Sequence, residues 1–275
     1  MTDRRDVKWH LKDQYKSLRS LVEGITVDSL AVFDLETCKE DEPVKQVLRR
    51  MNQMDIDQVP VDPGRTYYVV RQDLEQMDRW SAICEAPLRF LTPPELVAAG
   101  TSLAEVYPLF QERTFLFVLQ GTRVEGIVTP GDFQRAPFRM YLFGLLGLLE
   151  MGVVHLVLDV YGDEDWQMLP EAQKAREEAE RWHKRAKRHG EEPRSKFEVA
   201  SLASKLHVIK NAERVLQRFD EDERQLILTL DLKAVKTLRD NLAHAKDLTY
   251  GLPGRWGQVC RLAKHLERLT GVIAR

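Results

Sequence analysis

The stretch G-I-V-T-P-G-D-F, residues 126–133, decides how the first half of this chain is organised. A short apolar run ends at Thr129, proline and glycine follow, and Asp132 opens the next segment, which is typical of a strand that leads into a helix start. Upstream, residues 103–122 carry a helical stripe, a second apolar run and turn residues. Together these segments predict the order helix, strand, turn, strand, helix start.

The same order occurs earlier in the chain. A helical stripe over 44–51 is followed by D-I-D-Q-V-P-V (55–61), a turn and Y-Y-V-V (67–70), and Asp73 takes the place of Asp132. Such internal repetition usually means that two units pack together and complete one core. We therefore predict a repeated β-α domain over residues 25–136, with copies at about 25–82 and 87–136.

The repeat resembles a pair of CBS motifs, on the residues D-x-V-P-V in the first copy and G-I-V-T-P-G-D-F in the second. This resemblance implies an adenine nucleotide (AMP, ADP or ATP) as a regulatory ligand and no required cofactor. It also implies that Asp132 accepts hydrogen bonds from ribose hydroxyls and that Thr129 lies beside the phosphates. A carboxylate can accept two hydroxyl hydrogens, so the assignment is chemically sound.

The first copy departs from this motif, because Val70 stands where threonine is expected and only Asp73 is kept as a ligand candidate. One complete site is therefore expected at most. The residues also allow an alternative in which Thr129 and Asp132 simply cap a helix. Modules of this kind can also serve only as dimerisation scaffolds.

The second half of the chain, residues 137–275, shows helical patterns and no convincing strand. The fold class is therefore an α+β CBS-like pair followed by an all-α helical bundle, with residues 1–24 as a separate N-terminal helix. Residues 141–160 approach the length of a membrane span, but their acidic and histidine side chains favour a core helix, and we expect no membrane contact. Helices are predicted at 138–161, 170–189, 197–219, 223–246 and 255–275.

The segment R-D-N-L-A-H, residues 239–244, is similar to the R-x4-H signature of HEPN domains, which are four- to five-helix bundles and often homodimers. The resemblance implies metal-independent cleavage of RNA by Arg239, Asn241 and His244. Histidine would move protons and arginine would stabilise the phosphate in the attack by the 2′-hydroxyl. The residues also allow a salt bridge from Arg239 to Asp240 with His244 as a helix cap, or an inactive motif.

Helical geometry affects this hypothesis. Arg239 and His244 are five positions apart and therefore point about 140° away from each other around one helix. A second copy of the helix across a two-fold axis would bring the two groups together more easily.

A basic cluster ends the helix predicted at 170–189. It is either a solvated helix end that complements the helix dipole or a surface that contacts RNA phosphates. Its four cations are Lys184, Arg185, Lys187 and Arg188.

Composition excludes several other classes of protein. The net charge of −2 provides no overall attraction for nucleic acid, so any such contact must be local. Cys38, Cys84 and Cys260 lack metal-ligand spacing and read as reduced thiols of a cytoplasmic protein, and no metal site is predicted. The leading hypothesis is a nucleotide-sensing CBS module that controls a dimeric HEPN-like ribonuclease. The alternatives are a non-catalytic adaptor that responds to adenine nucleotides, and a structural dimer without a ligand.

Overall fold

The computed structural model describes residues 4–189 and 195–275, with side chains from residue 11 onward. The chain divides into two compact units. One is Gly24–Arg135, here called the α/β unit, and the other combines Met1–Glu23 with Ala136–Arg275, here called the helical unit. Helix α1 (Arg4–Gly24) thus belongs mainly to the helical unit, although the sequence sets it apart as a segment of its own.

The α/β unit has the repeated order that the sequence predicts. A four-stranded sheet in the order β1-β2-β3-β4 contains the strands of the first copy and also β4, which lies in the range predicted for the second copy, and a three-stranded sheet in the order β5-β6-β7 contains the other strands of the second copy. Each sheet also begins with a short strand that pairs in parallel, which is too short to show an alternating pattern in the sequence. The elements are β1 (Cys38–Lys39), α2 (Val44–Met54), β2 (Gln58–Asp62), β3 (Tyr67–Val70), α3 (Arg71–Leu74), β4 (Arg89–Phe90), β5 (Leu96–Ala98), α4 (Leu103–Val106), β6 (Leu116–Gln120) and β7 (Arg123–Val128).

The two copies meet in one apolar cluster. Tyr68 from the first copy packs edge-on against Phe117 from the second, with ring centroids 5.3 Å apart. The Tyr68 hydroxyl donates to Glu95 at 2.5 Å, and burial followed by this hydrogen bond raises the pKa of Tyr68 to about 12. Arg65 adds a second link, because its guanidinium donates to the Val124 carbonyl at 2.7 Å. This aromatic cluster joins the two copies, and the first copy has in addition an apolar core of its own around α2 and β2.

The helical unit is built around α5 (Ala136–Asp165), which contacts the later helices α7, α10 and α11. By length and composition, Ala136–Met168 could cross a membrane. Core helices of bundles share this composition, and the contacts of α5 are those of a core helix. The remaining helices are α6 (Gln173–His189), α7 (Leu202–Asn211), α8 (Glu213–Leu216), α9 (Glu221–Leu228), α10 (Leu232–Ala243) and α11 (Arg255–Ile273).

Two of the helices predicted from the sequence are each divided in the structure. The helix predicted at 223–246 ends at Leu228, and α10 starts after Asp231, whose carboxylate accepts from the N–H groups of Lys233 and Ala234 at 3.0 Å each. Short acidic side chains favour such caps over a continuous helix, so the prediction of a single long helix was wrong. The helix predicted at 197–219 likewise separates into α7 and α8 at the extended residue Ala212.

Helix α1 packs closely onto the helical unit. The Tyr15 hydroxyl donates to the Glu267 carbonyl of α11 at 3.0 Å. A Cβ at Gly271 would lie 3.0 Å from that same hydroxyl oxygen, so glycine permits the close approach of the two helices. The N-terminal helix is thereby part of the bundle core, with Leu11 and Val22 buried.

Candidate functional site

The α/β unit contains a cleft of about 540 Å³, which is in the range of small-molecule sites. Its walls come from the segment 32–36, from residues 54–58 at the end of α2 and the start of β2, and from the strand end at 127–132. Both copies of the repeat therefore contribute to it. The apolar part of the wall is formed by Val32, Leu35, Met54, Ile56 and Ile127.

Backbone pairing holds the segment 32–36 against β7. Val32 and Ile127 exchange two N–H···O hydrogen bonds, at 2.9 and 3.0 Å. The neighbouring Gly126 has no room for a side chain, because a Cβ there would lie 2.9 Å from the ring of Phe33 and 3.1 Å from the Val32 carbonyl oxygen. Glycine at this position therefore lets one wall of the cleft form.

Thr129 and Asp132 lie together at the inner edge of the cleft. The Asp132 Oδ2 atom accepts from the Thr129 N–H at 2.8 Å and from the Thr129 hydroxyl at 2.9 Å. Asp132 Oδ1 pairs with Arg135 at 3.1 Å, and the residue is 8% exposed. This is the capping arrangement that the sequence allows as an alternative, at the start of a short 3₁₀ turn, Pro130–Gln134. The same carboxylate still lines the cleft.

The first copy has no matching arrangement. Asp73 Oδ2 accepts two hydrogen bonds from Arg89, at 2.8 and 3.1 Å, and this contact raises the pKa of Arg89. Val70, in the place of the threonine, precedes α3 without a side-chain cap. Asp73 does not line the cleft around Asp132. The sequence motif around Asp73 gives no indication that this residue pairs with Arg89.

Five carboxylates surround the cleft. No lysine or arginine is among its lining residues, so the rim is acidic. The five are Asp34, Glu36, Asp55, Asp57 and Asp132.

In the helical unit, the R-x4-H segment lies at the end of α10. The Arg239 side chain is 56% exposed and pairs with Asp240 at 3.3 Å, while Lys236 pairs with Asp240 at 2.9 Å. The pKa of Asp240 is lowered mainly by its hydrogen bond with Lys236 and to a smaller extent by its contact with Arg239. His244 is exposed and follows the last helical residue. Within the residues that the structure describes, no hydrogen bond joins Arg239 to His244.

Asn241 has a different environment from its two neighbours in the motif. It is 2% exposed, and its side-chain amide donates to the carbonyl of Tyr250 at 2.8 Å and of Leu248 at 3.3 Å. Arg139 of α5 donates to the carbonyls of Lys246 and Asn241, at 2.8 and 3.1 Å. These contacts fix the loop that follows α10. The sequence contains no signal for the role of Arg139.

The four basic residues near the end of α6 are exposed, with Ala186 buried between them. Within the described part of the chain none of the four makes an ion pair. Residues 190–194, which follow them, lie outside the described residues. Across the described residues no group of three or more histidine, cysteine or acidic side chains could hold a metal ion.

No protein-family model matches the chain, and no curated protein matches it. Solved structures do match. The CBS domains of a transcriptional regulator from Streptococcus pneumoniae are 21% identical, with a TM-score of 0.34, and the match covers 39% of this chain and 95% of that one. A CBS domain pair/ACT domain protein from Thermotoga maritima is 23% identical, with a TM-score of 0.33, over 40% and 93%. CBSX2, solved in complex with AMP, is 19% identical, with a TM-score of 0.35, over 42% and 98%.

The contacts of Asn241 lead to a prediction about stability. Asn241→Ala leaves two carbonyl groups at a buried site without their donor, so we expect the free energy of unfolding to fall by about 1–3 kcal/mol. The measurement is urea unfolding of the full chain followed by far-ultraviolet circular dichroism. His244→Ala is the control, and at its exposed position the change should stay within about 0.5 kcal/mol. Equal effects of the two substitutions would contradict the structural role of Asn241.

Proposed function

We propose that the α/β unit is a sensing module whose cleft binds an adenine nucleoside or nucleotide. The observation that carries this proposal is the position of the Asp132 carboxylate beside an apolar wall in a cleft of about 540 Å³. In this proposal the base packs against apolar lining residues such as Ile56 and Ile127, and Asp132 accepts hydrogen bonds from the ribose hydroxyls. The volume of the cleft lies in the range of small-molecule sites, and its lining combines five apolar residues with eight polar or charged ones.

Asp132 has enough acceptor capacity for both of its contacts. An ionised carboxylate offers about four acceptor positions on two oxygens. Thr129 uses two of these on Oδ2, and Arg135 faces Oδ1. A position on Oδ1 is thus left for a ribose hydroxyl, while the cap holds the carboxylate in place. In this proposal the Asp132 side chain both caps the turn and contacts the ligand.

The proposal is tested by isothermal titration calorimetry of the full chain with adenosine and AMP. Asp132→Asn should weaken binding at least about tenfold, because a charge-assisted hydrogen bond to the ribose is lost while asparagine still caps the turn. Asp73→Asn is the matched control and should leave the affinity unchanged.

Two results would reject the sensing function. One is that adenosine, AMP, ADP and ATP all fail to bind the wild-type chain at millimolar concentration. The other is that Asp132→Asn binds them as tightly as the wild type does.

A second candidate function, metal-independent endoribonuclease activity, concerns the helical unit. The observation that favours it is that Arg239 and His244 are both exposed beside a loop that Arg139 and Asn241 hold rigid. Histidine is the side chain that most often acts as a general acid or base, and a guanidinium matches phosphate oxygens. The cations near the end of α6, including Lys184 and Arg188, would contact the RNA backbone.

This second function calls for a homodimer, since no hydrogen bond joins Arg239 to His244 within the described part of one chain and a two-fold axis would duplicate both groups. An exposed apolar stripe on α5 supports the dimer. Met140 and Phe143 are 65% and 60% exposed, and Met151 is 46% exposed. Arg139, which fixes the loop after α10, precedes this stripe directly. A ligand in the α/β unit would regulate the enzyme only if it bound two arrangements of the dimer with different affinity.

The nuclease hypothesis is tested on a mixed RNA pool with a chelator present, with and without AMP. Wild-type cleavage should fall at least about 100-fold in His244→Ala, which is a typical loss for acid–base catalysis, and at least about 100-fold in Arg239→Ala, which is a typical loss of transition-state charge stabilisation. His207→Ala, which changes an exposed histidine of α7 outside the motif, should cleave as the wild type does. An RNA pool left intact by the wild type would favour the alternative, a non-catalytic adaptor that responds to the nucleotide.

A further inference from the structure

The charge around the cleft affects how well it can bind adenine ligands that carry different numbers of phosphates. Carboxylates on three segments face the same space, and the residues that line it include no cation. Asp34 is exposed and has no ion pair within the residues that the structure describes. Asp55 and Asp57 lie on the opposite segment, and their side chains are 93% and 58% exposed at the rim.

The arginines nearest to these carboxylates already have partners. Arg71 pairs with both Asp55 and Asp57. Arg50 pairs with Glu36 and also with a carboxylate outside the cleft, Glu42, and these contacts raise the pKa of Arg50.

Arg135 completes the set of paired cations. It contacts Asp132 at 3.1 Å and donates to the Leu30 carbonyl at 2.7 Å. Five carboxylates thus face three guanidinium groups that are all in use, and the cleft keeps a net negative charge.

At the strand end, the donors that the motif would direct at a phosphate group are already in use. The N–H and the hydroxyl of Thr129 both donate to Asp132. Pro130, the next residue, has no N–H to offer. The turn Pro130–Gln134 is short and 3₁₀, so it does not provide the aligned N–H groups of a longer helix. Thr129 therefore serves Asp132, whereas the motif resemblance would place it beside phosphates.

We infer that the cleft selects an adenine nucleoside whose 5′ substituent carries no negative charge, and that affinity falls with each phosphate added. This inference rests on the proposed binding function and specifies its ligand class. The base and the ribose keep their apolar and carboxylate contacts in every ligand of the series. Only the phosphate chain meets the negative field. The expected order of affinity without divalent cations is adenosine, AMP, ADP, ATP.

The size of the effect follows from Coulomb's law in a water-exposed cleft. A phosphate charge about 8–10 Å from a net charge of about two electrons lowers affinity about 3- to 10-fold. Salt screens such interactions, so the differences between ligands should shrink at high ionic strength. Loss of shape complementarity would not depend on salt in this way.

The experiment measures the affinity of the full chain for the four ligands by titration calorimetry at low salt, with a chelator to remove divalent cations. Asp34→Asn removes one unpaired charge and should strengthen ATP binding about threefold while adenosine binding stays unchanged. Asp41→Asn is the matched control, because Asp41 is an exposed aspartate of the same unit that does not line the cleft. Both substitutions keep the side-chain shape, so neither should affect folding.

ATP binding as tight as adenosine binding in the wild-type chain would overturn the inference. An equal gain in Asp34→Asn and Asp41→Asn would also overturn it, since the effect would then belong to overall charge. In both cases ligand binding that depends on Asp132 would leave the proposed sensing function standing. Failure of all four ligands to bind would instead reject the proposed function itself.

Discussion

The contact of Tyr68 with Phe117 is the constraint on which the α/β unit depends. In the first copy one face of the sheet, which carries Val69, packs against α2, and the other face, which carries Tyr68, packs against the second copy. The aromatic cluster brings the two sheets together, and the cleft follows from this packing. Its walls are the segment 32–36, the end of α2 and the end of β7, and Leu35 and Ile127 of these walls pack against the aromatic cluster. The proposed binding site therefore depends on a contact that is not part of it.

The chemistry of the cleft depends on how Asp132 is held. The carboxylate is nearly buried and would be costly to leave unpaired, and the Thr129 N–H, the Thr129 hydroxyl and Arg135 all stabilise it. Because these donors serve the protein, they are not offered to a ligand phosphate. The arrangement thus fits a ribose hydroxyl and disfavours a phosphate chain. In the first copy Arg89 donates to Asp73, which does not line the cleft around Asp132.

The sequence predicts features that depend on local pattern and leaves out those that depend on distant partners. The repeat and the cap residues Thr129 and Asp132 could be predicted, because apolar runs and turn residues follow a fixed order. The break at Asp231 could have been predicted from the capping preference of aspartate, but two continuous apolar stripes concealed it. The ion pair of Asp73 with Arg89 could not be predicted, since nothing in the sequence around either residue identifies the other. For the same reason the burial of Asn241 emerges only from the structure, while the catalytic role of this residue stays a prediction.

The most direct test of the central claim, that the cleft binds the nucleoside, is hydrogen–deuterium exchange of the full chain with and without saturating adenosine. Slower exchange is predicted in three segments that are distant in sequence, 32–36, 54–58 and 127–135, because ligand contacts stabilise the backbone that lines the cleft. The matching strand end of the first copy, 67–74, should exchange at the same rate in both samples. Protection centred on that first-copy segment, or on α10 of the helical unit, would contradict the assignment of the site.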